Sequence, residues 1–217
     1  MQSYPAKYSD EYGEELTTIH NDGKTLRITV RGVDFAGRDF DGLEPADNST
    51  KQKLQTFSLG KFRELCECKI KCEIPIKIQA QKEIPAKLIM NLGLGKETVR
   101  GGPDEEDLIL TLQYDGKEFR SNGTSGWFED ELVGLQKQLP VGHHLKCCFG
   151  CAFSDYWPAG HGLFGSMHCF RNSKVEYLAV TTKADFWKIA DSVAEIVQET
   201  YLCAEFEIRK PNTGYRG

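Results

Sequence analysis

Between residues 66 and 80 every even position is apolar or a thiol: Cys66, Cys68, Ile70, Cys72, Ile74, Ile76, Ile78 and Ala80. The odd positions carry Glu67, Lys69, Lys71, Glu73, Pro75, Lys77 and Gln79. A period of two held this long predicts one strand, or two collinear ones broken near Pro75, with a single face on the core. Pro75 has no N–H to give to a ladder, so an edge position or a bulge is expected there. Cys66, Cys68 and Cys72 fall on the apolar face, where a free thiol packs as a small hydrophobe. Residues two apart on a strand are about 7 Å apart, too far for the tight knuckle that usually presents two thiolates to zinc.

Other stretches extend the β pattern. ELTTIHNDGKTLRITVRGVDF predicts two strands joined at Asn21-Asp22-Gly23, where Asn and Gly tolerate the positive φ of a tight hairpin. EIPAKLIMNLGLGKE predicts a further strand, and DLILTLQYDGKEFRS a hairpin turning at Asp115-Gly116. Six or seven strands, mostly antiparallel because their connections are short, are expected in this part. DFDGLEPADNSTKQK has no periodicity and predicts a polar loop; its Asn48-Ser49-Thr50 is a glycosylation sequon, relevant only to a secreted chain.

The period changes after SNGTSG. Phe128, Leu132, Leu135 and Leu139 recur at helical spacing, Ser125 is the expected cap, and Pro140-Val141-Gly142 stops the helix. Strands are then expected at residues 144–149, in LFGSMHCF and in VEYLAVT, with a helix starting near Thr182 or Lys183. VQETYLCAEFEI fits helix or an irregular turn equally. The expected fold class is therefore α+β: residues 1–140 form a mostly antiparallel β-rich region ending in a helix. Residues 141–217 form a small cysteine-rich, zinc-knuckle-like module, packed with the first region or beside it.

Composition narrows the function classes. The chain has 27 basic and 32 acidic residues, a formal charge of -5, and no basic cluster able to displace counterions, which argues against nucleic acid as a partner. The Gly-rich stretches match neither GxGxxG between strand and helix nor GxxxxGK[ST], so nucleotide binding is not expected. The first residues lack an apolar run behind a basic segment, and no stretch approaches about 18 apolar residues. A soluble, cytoplasmic protein without a membrane partner is the expectation. In such a compartment thiols stay reduced, so the eight cysteines suggest metal ligation or packing before disulfides.

The chemistry-bearing residues concentrate in HHLKCCFGCAFSDYWPAGHGLFGSMHCFR, residues 143–171. Cys148 and Cys151 form a CxxC whose Gly150 permits a tight turn aiming both sulfurs at one point. One knuckle supplies half a tetrahedral site. Cys169 on the next strand and Cys203 near the C-terminal segment complete a structural zinc set, with Cys147, His143, His144, His161 and His168 as competing donors. A redox or nucleophilic CxxC and simple packed thiols are the other readings of the same residues. In SDYWPAGHG, Asp155, Tyr156 and His161 form a candidate binding loop. A metal-assisted hydrolase or transferase could assemble from it, although no coherent catalytic set is visible.

The motif CxxCxxSDYxPxGxGxFGxMxCFR at residues 148–171, paired with QETYLCAEFEIRKPNTGYRG at residues 198–217, resembles an uncharacterised bacterial family carrying a domain of unknown function. The resemblance implies that the two segments form one module, with Cys203 as partner to Cys148, Cys151 and Cys169, and an ordered GYRG terminus. It implies no activity. The resulting expectation is a non-enzymatic protein that binds another macromolecule, with another protein as the expected partner, or serves as an accessory, with a structural zinc.

Overall fold

A computed structural model covers the chain, and residues 1–46 and 50–216 are described. The sequon at Asn48-Ser49-Thr50 lies largely outside the described residues, as does Gly217. Among the described residues the chain is mostly antiparallel β-sheet with few helices. Nine strands run along the main sheet: β1 (Gln2–Asp10), β2 (Gly13–Asn21), β3 (Leu26–Val30), β4 (Val33–Gly37), β5 (Glu44–Pro45), β6 (Cys68–Gln79), β7 (Glu83–Leu94), β8 (Glu106–Tyr114) and β9 (Lys117–Arg120). Their order is β5-β4-β3-β2-β1-β6-β7-β8-β9, so two meanders meet where β1 pairs with β6. A tenth, short strand, β10 (His144–Leu145), pairs with the end of β6.

The alternation read from the sequence sets which face is buried. In β6 the side chains of Cys68, Ile70, Cys72, Ile74, Ile76 and Ile78 are buried and those of Lys69, Lys71 and Lys77 are exposed. Burying each Ile instead of leaving it in water stabilises the fold by about 1.5–3 kcal/mol. Leu88, Met90 and Leu92 of β7 and Leu108, Leu110 and Leu112 of β8 continue the same face. The chain turns from β8 to β9 through Asp115 and Gly116, with φ of +50° and +70°, the two successive positive angles of a type I′ hairpin.

β6 is central, correcting the expected edge position. Pro75 sits opposite Lys87 of β7 without a bulge. On the other side of β6, β1 reaches only as far as Cys72 and β10 begins at Ile78. Pro75 falls in the gap between those partners, so its missing N–H costs no ladder bond there. Polar letters and Pro5 hid β1 from the sequence reading, although Tyr4, Ala6 and Tyr8 alternate into the core.

The apolar face is covered by helix α2 (Phe128–Gln138), which follows the four-residue helix α1 (Lys51–Leu54) in the chain, and by the C-terminal third. Phe128, Leu132 and Leu135 of α2 are buried as their spacing predicts. Its N-cap is Trp127 and not Ser125; the Ser125 hydroxyl accepts from the Trp127 N–H at 3.0 Å and donates to Glu131 at 2.8 Å. One core cluster runs from the sheet into Cys147, Cys148, Phe149, Tyr156, Phe164, Met167 and Cys169, across the boundary expected at residue 140.

Three local expectations are corrected in the C-terminal third. The strand predicted at 144–149 stops at Leu145, and Cys148–Gly150 is a 3-10 turn. VEYLAVT forms helix α3 (Lys174–Leu178), and the helix after Thr182 is only α4 (Lys183–Lys188), with the Thr182 hydroxyl accepting from the Asp185 N–H. The stretch around Cys203 is irregular, after a short strand. That strand, β13 (Glu195–Val197), closes a small sheet with β11 (Ser154–Asp155) and β12 (Met167–Cys169) in the order β11-β12-β13. No helix among the described residues is long and apolar enough to cross a membrane.

Candidate functional site

The CxxC turn is held by backbone bonds from distant segments. The Cys148 N–H donates to the Tyr201 carbonyl at 2.7 Å, the Phe149 N–H to Glu199 at 2.9 Å, and the Arg209 N–H to Gly150 at 3.1 Å. Gly150 is required by packing: a Cβ there would stand 2.3 Å from the Leu145 carbonyl oxygen. Cys169 pairs across the small sheet with Ser154 on one side and Glu195 on the other. The Cys148–Tyr201 bond carries Cys203, two residues on, towards the same place.

Three segments, the CxxC turn, β12 and the stretch after β13, thus deliver Cys148, Cys151, Cys169 and Cys203 to one neighbourhood. Burial pushes the Cys148 thiol far above its ordinary value, and the charges of Cys151, Cys147, Cys169 and Cys203 push the same way. Cys169 is raised by burial first and by Cys151 and Cys203 afterwards. Cys147 is also buried, its thiol pushed up to about 12. Among the described residues no three His, Cys, Asp or Glu side chains close into a metal-holding set. All eight cysteines are free; Cys66, Cys68 and Cys72 are buried apart from this group, the last two in the main core.

The 155–161 loop divides into buried and open parts. Asp155 is 2% exposed and its oxygens are taken. Oδ1 accepts from the Tyr156 N–H at 2.9 Å, and Oδ2 accepts from the Tyr177 hydroxyl at 2.6 Å and the Arg216 N–H at 3.0 Å. The C-terminal tail is therefore tied down by the loop. Arg216 also donates to the Phe149 carbonyl at 2.6 Å, and Arg209 donates to the Ser154 carbonyl and, at 3.1 Å, to the Tyr177 hydroxyl.

Tyr156 stacks on His161, with ring centres 4.1 Å apart. Among the described residues its buried hydroxyl closes no hydrogen bond, and neither does Oε1 of the fully buried Glu199, whose other oxygen accepts from the Gly165 N–H at 2.7 Å. Burial pushes the Glu199 carboxyl up to about 7 and raises the Tyr156 phenol, which Glu199 raises further. The His161 Nδ1–H donates to the Gly162 carbonyl at 2.9 Å, and Nε2 lies 3.4 Å from Glu129, whose carboxyl burial also raises.

His161 stands at the wall of an open cleft of about 460 Å³ shared with Trp157, His168, Phe164, Arg38 and Asp39. Asp39 accepts from the Phe40 N–H at 2.7 Å and the Phe164 N–H at 2.9 Å. Burial pushes its carboxyl up to about 9, with Asp41 and Glu199 adding to the rise. Asp39, Glu199, Glu129 and Trp127 escaped the sequence reading. Asp39 opens what reads as a polar loop, and Glu199 and Glu129 look like ordinary surface acids until the fold encloses them.

Residues 2–154 match the model of a family of unknown function, DUF6304. The chain belongs to this family. The match takes in the main sheet, α2 and the CxxC, and ends before His161, Cys169 and Cys203. No curated protein and no solved structure matches the chain. The family carries no assigned activity, so the reading of function rests on the residues themselves.

Proposed function

We propose a non-enzymatic protein that binds another macromolecule, most simply a protein, as an accessory, its C-terminal third knit by one structural zinc on Cys148, Cys151, Cys169 and Cys203. The observation that carries this reading is the convergence of those four thiols, from three segments, within reach of one another's charge. Gathered thiolates repel, and a divalent cation replaces that repulsion with ligand bonds. A reducing compartment such as the cytoplasm suits eight free thiols.

Binding is favoured over a metal-assisted hydrolase or transferase because Asp155, the obvious acid of the loop, is spent on the Tyr156 and Arg216 amides and the Tyr177 hydroxyl. A general base needs a reachable oxygen for the proton it takes. The test is elemental analysis of untagged protein purified without added zinc, with thiol titration before and after chelation. About one zinc per chain, with the four thiols unreactive until chelation, is expected. Metal-free protein with a rapidly reacting CxxC thiol would overturn the zinc and leave redox chemistry.

A further inference from the structure

One of the chain's three tryptophans lines a cleft, and the other two pack against residues of its wall. Trp157 lines it, with His168 at 4.9 Å between ring centres. Trp187 packs its edge against Trp157 at 4.8 Å and stays 42% exposed. Trp127, 44% exposed, meets His161 at 5.1 Å. Indoles left this open are uncommon unless their faces have a use, because each carries a large apolar area into water.

The ionisable groups beside those rings are mainly acids. Asp39 lines the cleft, fixed by its two amide bonds, with Asp41 and Glu199 near enough to act on it, and Glu129 stands behind His161. Arg38, exposed, is the cation among the lining residues. Aromatic faces attract positive charge, and a weakly hydrated cation is the one that rings recognise best; burial and its acidic neighbours keep the Asp39 carboxyl protonated, so a cation entering the cleft displaces that proton and pairs with the carboxylate left behind. The patch already holds such a contact: Lys183 Nζ lies 6.0 Å from the Trp187 ring centre while donating to the Pro158 carbonyl at 2.9 Å.

We propose that this cleft binds an alkylated ammonium group, its methyls against the Trp157 and His161 rings and its charge facing Asp39. This deepens the reading of the protein as a binder by naming what the 155–161 loop recognises. Two sources carry that chemistry: a free choline-like molecule, or a methylated lysine side chain on a protein partner.

Tryptophan fluorescence reports on the cleft directly. Titration with choline is expected to give a saturable change that sodium chloride at equal ionic strength does not, and that 3,3-dimethylbutanol, the uncharged isostere, gives at least tenfold more weakly. Choline binding should tighten as pH rises towards about 9, where Asp39 ionises; there Asp39→Asn should weaken it about tenfold, equivalent to about 1.4 kcal/mol, and Trp187→Ala, at an exposed ring, should remove part of the signal without unfolding the chain. A trimethyl-lysine peptide binding more tightly than choline and than its unmodified lysine counterpart points to a protein partner; the reverse order points to a small molecule. Equal binding of choline and its isostere, binding of neither ammonium source, or preference for inorganic phosphate at Arg38 overturns the assignment. Zinc content measured on the same sample separates the two readings: a zinc-bearing protein blind to both ammonium sources loses only this one, and a metal-free protein that binds choline loses only the zinc.

Discussion

The sheet and the C-terminal third hold together by different means. In the sheet, sequence neighbours pair with neighbours, and the core is a continuous face of Ile, Leu, Met and aromatic side chains. In the C-terminal third the strands are two or three residues long, the separate apolar cluster around Phe170, Tyr177 and Phe186 is small, and Asp155, Tyr177, Arg209 and Arg216 bind across the gaps. Apolar burial tolerates local error because it is spread over many contacts. A polar network fails where one partner is lost, since the groups left behind are buried and unpaired.

The comparison breaks most visibly in the sheet. Leu110→Ala, at a fully buried position of β8, should cost about 2–5 kcal/mol and lower the urea midpoint of the whole chain. Asp155→Ala should cost about 1–3 kcal/mol, and its signature should be local. Limited proteolysis is expected to cut the segment around Arg209 and Arg216 while amide exchange in β6 to β8 stays slow; uniform loosening of both regions would show that they unfold as one. Smallest per step is the response to pH, at most about 1.4 kcal/mol per unit for each group involved.

The sign of that response follows from Glu199, raised to about 7, and Asp39, raised to about 9, both chiefly by burial. Below the ordinary carboxylate range both carboxyls are protonated in folded and unfolded chain alike, and their contribution is fully present. As pH rises the unfolded chain gives up these protons first, so stability declines up to the folded values. Asp39 is partly open to solvent and accepts two amide bonds that favour its charged form, so its share is the smaller. Chemical denaturation from pH 5 to 9 should show falling stability, and Glu199→Gln should flatten the part of the fall that lies below about pH 7. A flat or rising curve would place the balance of charges elsewhere.

The same division explains what could be read in advance. The alternation at Cys68 to Ile78 and the helical spacing of Phe128, Leu132 and Leu135 are repeated signals that a single exception such as Pro75 does not erase. VEYLAVT is too short to have a period: its Val and Tyr suggest a strand, yet Val175 ends up exposed on α3 and Tyr177 buried against Asp155. The cysteines announced themselves by type and spacing. Asp39, Glu199 and Glu129 did not, because a carboxylate becomes unusual only through what surrounds it, and their neighbours lie far along the chain.

The tie between Asp155 and Arg216 has a consequence in time. Each meander of the sheet can pair as it leaves the ribosome, because every new strand finds its predecessor waiting. Asp155 has no such luxury, since one of its donors belongs to residue 216 and is synthesised some sixty positions later. Until then its carboxylate is hydrated, and the loop it anchors has no final shape. Maturation of the C-terminal third is thereby deferred until residue 216 has been made, after the platform on which it must settle has already formed.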